Sequence, residues 1–280
     1  MITAIIFSKD RPLQLDLCLN SILKNFTDCT EIIVIHKYDT NFIECIEILD
    51  NEYKDVSFKF QSESIYKDLY LTCEHSKNNY ICFFTDDDIF YEKFSTNLYD
   101  NMFHPANQVC TLSLRLGLNT TKRYHQGELG VDEPYKKIIN GNFLVVPKTS
   151  YGYGSYWSYS HSLDGHIFTK NDMLKVMDEL SYLDEKFKFD QTPNEVETQM
   201  QRYWPLSYNN IVCPLHSVVV NSPNNRVSDT HIQNASGEQF DYTPEYLLGI
   251  FRAGKRINID YLDFRNIDCP HKEINIMDGI

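Results

Sequence analysis

Apolar and polar positions follow two different periods along the first hundred residues. Residues 3–7 form a continuous apolar run, the pattern of a strand buried on both faces. From Pro12 the period changes. Leu15, Cys18, Leu19, Ile22 and Leu23 recur at spacings of three and four or lie beside such positions, which predicts a helix with Pro12 near its first position. Residues 31–35 predict a second strand, 42–49 a short helix, 56–60 an alternating strand, 65–76 a helix and 80–85 another continuous apolar strand. Strands alternating with helices imply a mostly parallel sheet with right-handed crossovers.

The second half is less regular. Residues 92–102 predict a helix and 109–114 a strand. Residues 117–160 are rich in Gly, Tyr, Ser and Asn and show no clean period. Residues 167–168 lead into a helix over 170–180, and a further helix over 195–203 starts just after Pro193. A last strong strand is expected over 211–220, and the remainder is polar and turn-rich. No repeat, low-complexity tract or linker interrupts the chain. The expectation is therefore one domain over 1–280, with functional divisions near 1–110, 111–220 and 221–280.

Composition narrows the function. With 280 residues and 42% apolar content, the chain has material for a large core. The formal charge of −13 argues against nucleic acid, which needs clustered Lys and Arg. No run of 18 apolar residues exists, so at most peripheral membrane contact is expected. A strand-like run begins at Ile2, where a charged leader would stand, so a cytoplasmic location is expected. The eight cysteines show no CxxC spacing, which speaks against zinc and fits reduced thiols.

The most informative stretch is Tyr80-Ile-Cys-Phe-Phe-Thr-Asp86-Asp87-Asp88-Ile89. A buried strand ends in three carboxylates, at the edge where open α/β sheets bind ligands. Adjacent carboxylates repel one another unless a cation or donors compensate. Hard oxygen ligands suit Mg²⁺ or Mn²⁺ together with substrate phosphates. The competing explanation is a cap for a following helix, since Asp favours helix N-termini.

At this point a resemblance enters. Phe7-Ser8-Lys9-Asp10-Arg11-Pro12 followed by Leu13-Gln-Leu-Asp-Leu-Cys-Leu-Asn-Ser-Ile22 is similar to the opening strand and helix of glycosyltransferase family 2, and Asp86-Asp87-Asp88 stands at that family's DxD position. The match covers residues 1–100 well and 160–220 in outline. It implies an α/β GT-A fold, Rossmann-like, with a mostly parallel central sheet flanked by helices and an irregular C-terminal extension. It also implies a nucleoside-diphosphate sugar donor, of UDP type, with the base and ribose near Ser8, Asp10, Arg11, His36 and Lys67. Asp86 and Asp87 would meet the donor, and Asp86 and Asp88 would hold Mn²⁺ or Mg²⁺. The implied acceptor is a hydroxyl of a glycan or lipid-linked glycan in surface polysaccharide assembly.

The same resemblance places an acceptor segment at Asp164-Gly165-His166-Ile167-Phe168 and the catalytic carboxylate in Pro193-Asn194-Glu195-Val196-Glu197. An inverting transferase needs one carboxylate to take the acceptor proton. Glu195 is the first choice and Glu197 the second. Acidic residues in a first helical turn are also ordinary features of helices. His216 is the expected third metal ligand and His231 its competitor, although a lone His in an apolar run is more often a core residue. Gly249-Ile-Phe-Arg-Ala-Gly254-Lys255-Arg256 nearly spells a phosphate loop but lacks the final Ser or Thr and a preceding strand, so it reads as a turn after a short helix. Two other classes stay open. A sugar nucleotidyltransferase would carry a Gly-rich loop after the first strand, which is missing here. A catalytically silent nucleotide- or sugar-binding module would differ only in activity.

Overall fold

The computed structural model describes residues 1–125, 128–133, 138–152, 154–203, 208–227 and 235–280. The elements of the first half run β1 (Ile2–Ser8), α1 (Pro12–Asn25), β2 (Cys29–His36), α2 (Ile43–Glu52), β3 (Val56–Phe60), α3 (Ile65–His75), β4 (Tyr80–Thr85) and β5 (Asp88–Phe90). Then come α4 (Tyr99–Met102), β6 (Val109–Ser113), β7 (Lys122–His125), β8 (Glu128–Val131), β9 (Ile138–Asn140) and β10 (Phe143–Pro147). The chain continues through β11 (His166–Thr169), α5 (Lys170–Phe187), α6 (Pro193–Tyr203), β12 (Asn210–Pro214), β13 (Val219–Asn221) and α7 (Pro244–Arg252).

A nine-stranded sheet in the order β3-β2-β1-β4-β11-β6-β12-β10-β9 forms the centre. Strands β3, β2, β1 and β4 are mutually parallel, as are β6 and β12, while β11 and β10 run against their neighbours. The architecture is thus the expected α/β class: a mostly parallel sheet with helices on both faces. The continuous apolar runs follow from this two-sided burial. Successive side chains of a strand point to opposite faces. Ile2, Ala4 and Ile6 of β1 join Cys82 and Phe84 of β4 in one core under α1, α2 and α7. Ile5, Phe7, Ile81 and Phe83 join the opposite core under α3, α5 and α6.

Two expected elements change, and two points about the C-terminal stretch and the triplet are filled in. Over 92–102 only Tyr99–Met102 is helical, because the stretch before it is held by single contacts such as Phe94 N to Asn25 O at 2.9 Å. The expected strand over 211–220 breaks in two: β12 lies in the large sheet, whereas β13 pairs with β5 in a separate small one. The polar C-terminal stretch contains α7, capped by the Thr243 hydroxyl and packed through Leu247, Leu248 and Phe251. No helix follows the acidic triplet; Asp88 opens β5, so the triplet is not a helix cap. Gly254, at φ 76°, ends the turn after α7 as expected of the near-phosphate loop.

The eight cysteines are unpaired, and all except Cys29 are buried. Among the described residues no helix is long and apolar enough to cross a membrane.

Candidate active site

Parallel pairing aligns the carboxyl ends of the first four strands. Ser8 of β1 stands opposite His36 of β2, and His36 opposite Phe60 of β3. On the other side Phe7 stands opposite Thr85, the last residue of β4 before the triplet. One edge of the sheet therefore gathers Phe60, His36, Ser8 and the triplet in a row.

Asp86 is buried against this edge. Its Oδ2 accepts hydrogen bonds from the Ser8 hydroxyl (2.9 Å) and the Lys9 amide (3.1 Å). The buried Arg11 guanidinium reaches Asp86 Oδ1 and Asp87 Oδ2, both at 3.0 Å. Its other nitrogens bind Asn225, Nε to the side-chain oxygen at 2.7 Å and Nη2 to the carbonyl. Burial pushes the Asp86 carboxyl up to about 6 against the pull of Arg11, with Asp87 adding repulsion. Asp88 accepts from the Thr85 amide (2.9 Å) and from Asn221 Nδ2 (3.2 Å). Burial, then Asp164 and Asp87, hold its carboxyl well above the usual range.

Asp164 arrives from the antiparallel strand β11, whose start lies beside the end of β4. Gly165 makes that junction. Its amide donates to Phe83 O and its carbonyl accepts from Leu114 N, both at 2.8 Å. At φ 65°, with a Cβ that would lie 3.1 Å from Val219 Cγ1, only glycine is unstrained there. Asp164 Oδ2 pairs with the buried Arg115 at 2.7 Å, and its Oδ1 lies 3.2 Å from the Thr85 hydroxyl. Asp87, Asp88 and Asp164 thus gather around the Thr85 hydroxyl, with Asp86 and Asp87 paired to Arg11 and Asp164 to Arg115.

Glu197 of α6 completes the group. Its Oε1 accepts from the Leu163 amide (2.9 Å) and its Oε2 from the Tyr159 hydroxyl (3.0 Å). Burial, followed by the charge of Asp164, pushes its carboxyl up to about 7, with Arg115 opposing. A carboxyl in that range is suited to general-base work at neutral pH. Glu195 points elsewhere, as two residues on a helix of 3.6 per turn must. Its Oε1 accepts from Gln199 of the same helix, and its charge bears on Tyr66 of α3.

The other expected residues divide. Asp10 is buried in the left-handed region (φ 54°), and its carboxylate accepts the Asp39 amide at 2.7 Å. Burial raises its carboxyl. His36 packs edge-on against Tyr38 and Phe60, and burial lowers its imidazole. Lys67 is exposed in the first turn of α3, where its amide is capped by Ser64. His216 lies in the bend between β12 and β13, not on a strand. Its side chain is 58% exposed, and its Nδ1 lies 3.5 Å from Glu92 and 3.1 Å from the Ser217 carbonyl. His231 lies outside the described residues.

The expected metal set does not fit this arrangement. Among the described residues no group of three or more His, Cys, Asp or Glu side chains is disposed to hold a metal ion. Asp86 and Asp88 have their oxygens engaged by Arg11, Ser8, the Thr85 amide and Asn221, and His216 is turned to Glu92.

Sequence reasoning missed Arg115, Asn221, Asn225 and His271. Arg115 had a signal, a lone cation just beyond the carboxyl end of an apolar strand. Asn221 ends β13 and binds Asp87, Asp88 and Thr85, yet an Asn closing a strand reads as an ordinary turn residue.

No family model and no curated protein matches the chain. Similar solved structures are the crystal structure of S. aureus TarS 1-349 (14% identity, 78% of this chain, 59% of that chain, TM-score 0.44) and TarS 1-349 in complex with UDP (13%, 78%, 59%, TM-score 0.47). A crystal structure of S. aureus TarS is similar at 14% identity, over 76% of this chain and 34% of that one, with TM-score 0.43. The chain thus matches less than two thirds of the length of each of these structures.

Proposed function

We propose that this protein is a glycosyltransferase that moves a sugar from a nucleoside diphosphate, of UDP type, to a hydroxyl of a glycan acceptor with inversion. One observation carries the proposal. A partly exposed carboxylate raised to about 7, Glu197, stands in the same cluster as the buried acids at the carboxyl edge of a parallel sheet. That edge is where such sheets bind nucleotides.

In this proposal the nucleobase lies over Phe60, His36 and Tyr38, beside Ser8 and Asp10. Phe60 is 66% exposed although it is a large aromatic, as a stacking surface for a base should be. Arg11 does not meet the donor itself. It holds Asp86 and Asp87 rigid so that Asp87, the less buried of the two, can accept a hydrogen bond from a ribose hydroxyl. Glu197 takes the proton of the attacking hydroxyl as that oxygen bonds to the anomeric carbon and the diphosphate leaves with its electron pair. Tyr159 and the Leu163 amide orient Glu197, and Arg115 sets the charge beside it. Because the expected ligand set is not gathered, no step is assigned to a metal.

The test is incubation with a panel of nucleoside-diphosphate sugars, following the anomeric proton by NMR. Slow donor hydrolysis to the inverted free sugar, lost in Glu197→Gln, is the expected result. A retained anomeric configuration would overturn inversion. Formation of nucleoside-diphosphate sugar from a sugar phosphate and a nucleoside triphosphate would replace the proposal with a nucleotidyltransferase.

A further inference from the structure

The C-terminal segment delivers a histidine to the acid cluster from 50 residues beyond Asn221. It is docked by its backbone. Asn221 N donates to Pro270 O and Lys272 N donates to Asn221 O, both at 2.9 Å, forming a parallel bridge between Asn221 and His271. The imidazole then lies between Arg115 and Asn221. Its Nε2 is 3.0 Å from Arg115 Nη1, and its Nδ1 is 3.1 Å from Asn221 Oδ1. Asp164 Oδ2 lies 3.8 Å from Nε2, and the Tyr156 ring packs beside it.

The chemistry of the partners decides the direction of these two ring bonds. A guanidinium can only donate, so Nε2 must accept and carries no proton. The ring is then neutral and its proton is on Nδ1, which donates to Asn221 Oδ1. With its oxygen engaged, Asn221 must turn its NH₂ the other way, toward Asp87 Oδ1 (2.9 Å), Asp88 Oδ1 (3.2 Å) and Thr85 Oγ1 (3.1 Å). A flipped amide would set an oxygen against the Asp87 carboxylate. The chain Arg115, His271, Asn221, Asp87 and Asp88 is therefore polarised in one sense, from cation to anion.

We propose that His271 is a positioning residue: through its Nδ1–H it locks the Asn221 amide so that Asp87 and Asp88 are held in the orientation that binding of the donor nucleotide, through its ribose hydroxyls, requires. The proposal rests on the function proposed above only for the identity of that ligand. The lock itself has an independent readout.

The first experiment is nitrogen-15 NMR of the full chain, with the His271 ring identified by its loss in His271→Asn. A protonated Nδ1 and an unprotonated Nε2 at pH 7.5 are expected. A proton on Nε2, alone or with one on Nδ1, overturns the lock. The second is calorimetric titration with UDP. Loss of a hydrogen bond in a chain that ends on a charged group should weaken binding by about tenfold or more in His271→Ala and in Asn221→Ala. The double variant should be no weaker than the worse single one, because both act on one bond chain. His271→Asn, whose amide reaches the Nδ1 position, should restore affinity to within roughly threefold, whereas His271→Gln, which reaches the Nε2 position, should not. Additive losses, or rescue by Gln rather than Asn, would overturn the proposal. If the wild type binds neither UDP nor GDP while the NMR pattern is as expected, the lock stands and the proposed ligand falls.

Discussion

Glu197→Gln separates the electrostatic reasoning from the catalytic one. The carboxyl of Glu197 is raised from an ordinary 4.5 to about 7, first by burial and then by Asp164. A folded-state value above the unfolded one means that the fold favours the protonated acid. Its stability is full below about 4.5, falls as pH rises through the window from 4.5 to 7, and stays reduced above it. The full effect would be about 3 kcal/mol. Halving it roughly for the water that reaches this partly exposed group leaves about 1.5 kcal/mol. Gln has no such titration, and its amide oxygen can still accept from the Leu163 amide. The Tyr159 hydroxyl can turn to accept from the new NH₂. The variant should therefore gain on wild type between pH 5 and pH 8 by roughly 4 °C in Tm. Thermal unfolding at the two pH values measures this. Transfer or hydrolysis should fall by about 10²–10⁴-fold with little change in donor KM. In the wild type, the rate should rise with pH to a plateau above about 7. A Tm difference that ignores pH would refute the electrostatic account. An active Glu197→Gln beside an inactive Glu195→Gln would move the base to Glu195.

Three other substitutions probe the frame around it. Arg11→Met leaves Asp86 and Asp87 buried without their cation and should cost about 3–5 kcal/mol in urea unfolding. Gly165→Ala forces a left-handed alanine against Val219 and should cost about 1–2 kcal/mol or more, with lower turnover because Asp164 shifts, as unfolding and rate assays would show. His216→Ala removes an exposed ring that meets only Glu92 and a carbonyl among the described residues, so stability should change by less than about 0.5 kcal/mol and UDP affinity not at all in calorimetry.

The first half of the fold was legible because each apolar run has its own two cores to fill. Residues 56–60 and 80–85 are strands at the expected bounds, and Pro12 is the first helical residue of α1. The strand expected over 211–220 misled because its apolar side chains are buried on both sides of a break. Period alone cannot show that Leu215–Val218 turns the chain into a second sheet. Glu195 and Glu197 could not be separated in sequence, since their difference is the direction each takes from one helix. The partners of Arg115, Asn225 and His271 were hidden for another reason, although Arg115 itself stands out as a lone cation after an apolar strand. These partners lie 49, 214 and 50 residues away, and no local pattern encodes such a distance.

The central claim, a nucleoside-diphosphate sugar held at the carboxyl edge of β1 and β4, is tested most directly by thermal unfolding with UDP-, GDP- and dTDP-sugars, in wild type and in Asp87→Ala. A donor at about 100 times its Kd stabilises by about 2.7 kcal/mol, roughly 5 °C for a chain of this size. The account predicts such a rise for one nucleotide class in the wild type and none in Asp87→Ala. No rise with any donor, or an equal rise in both proteins, would contradict it.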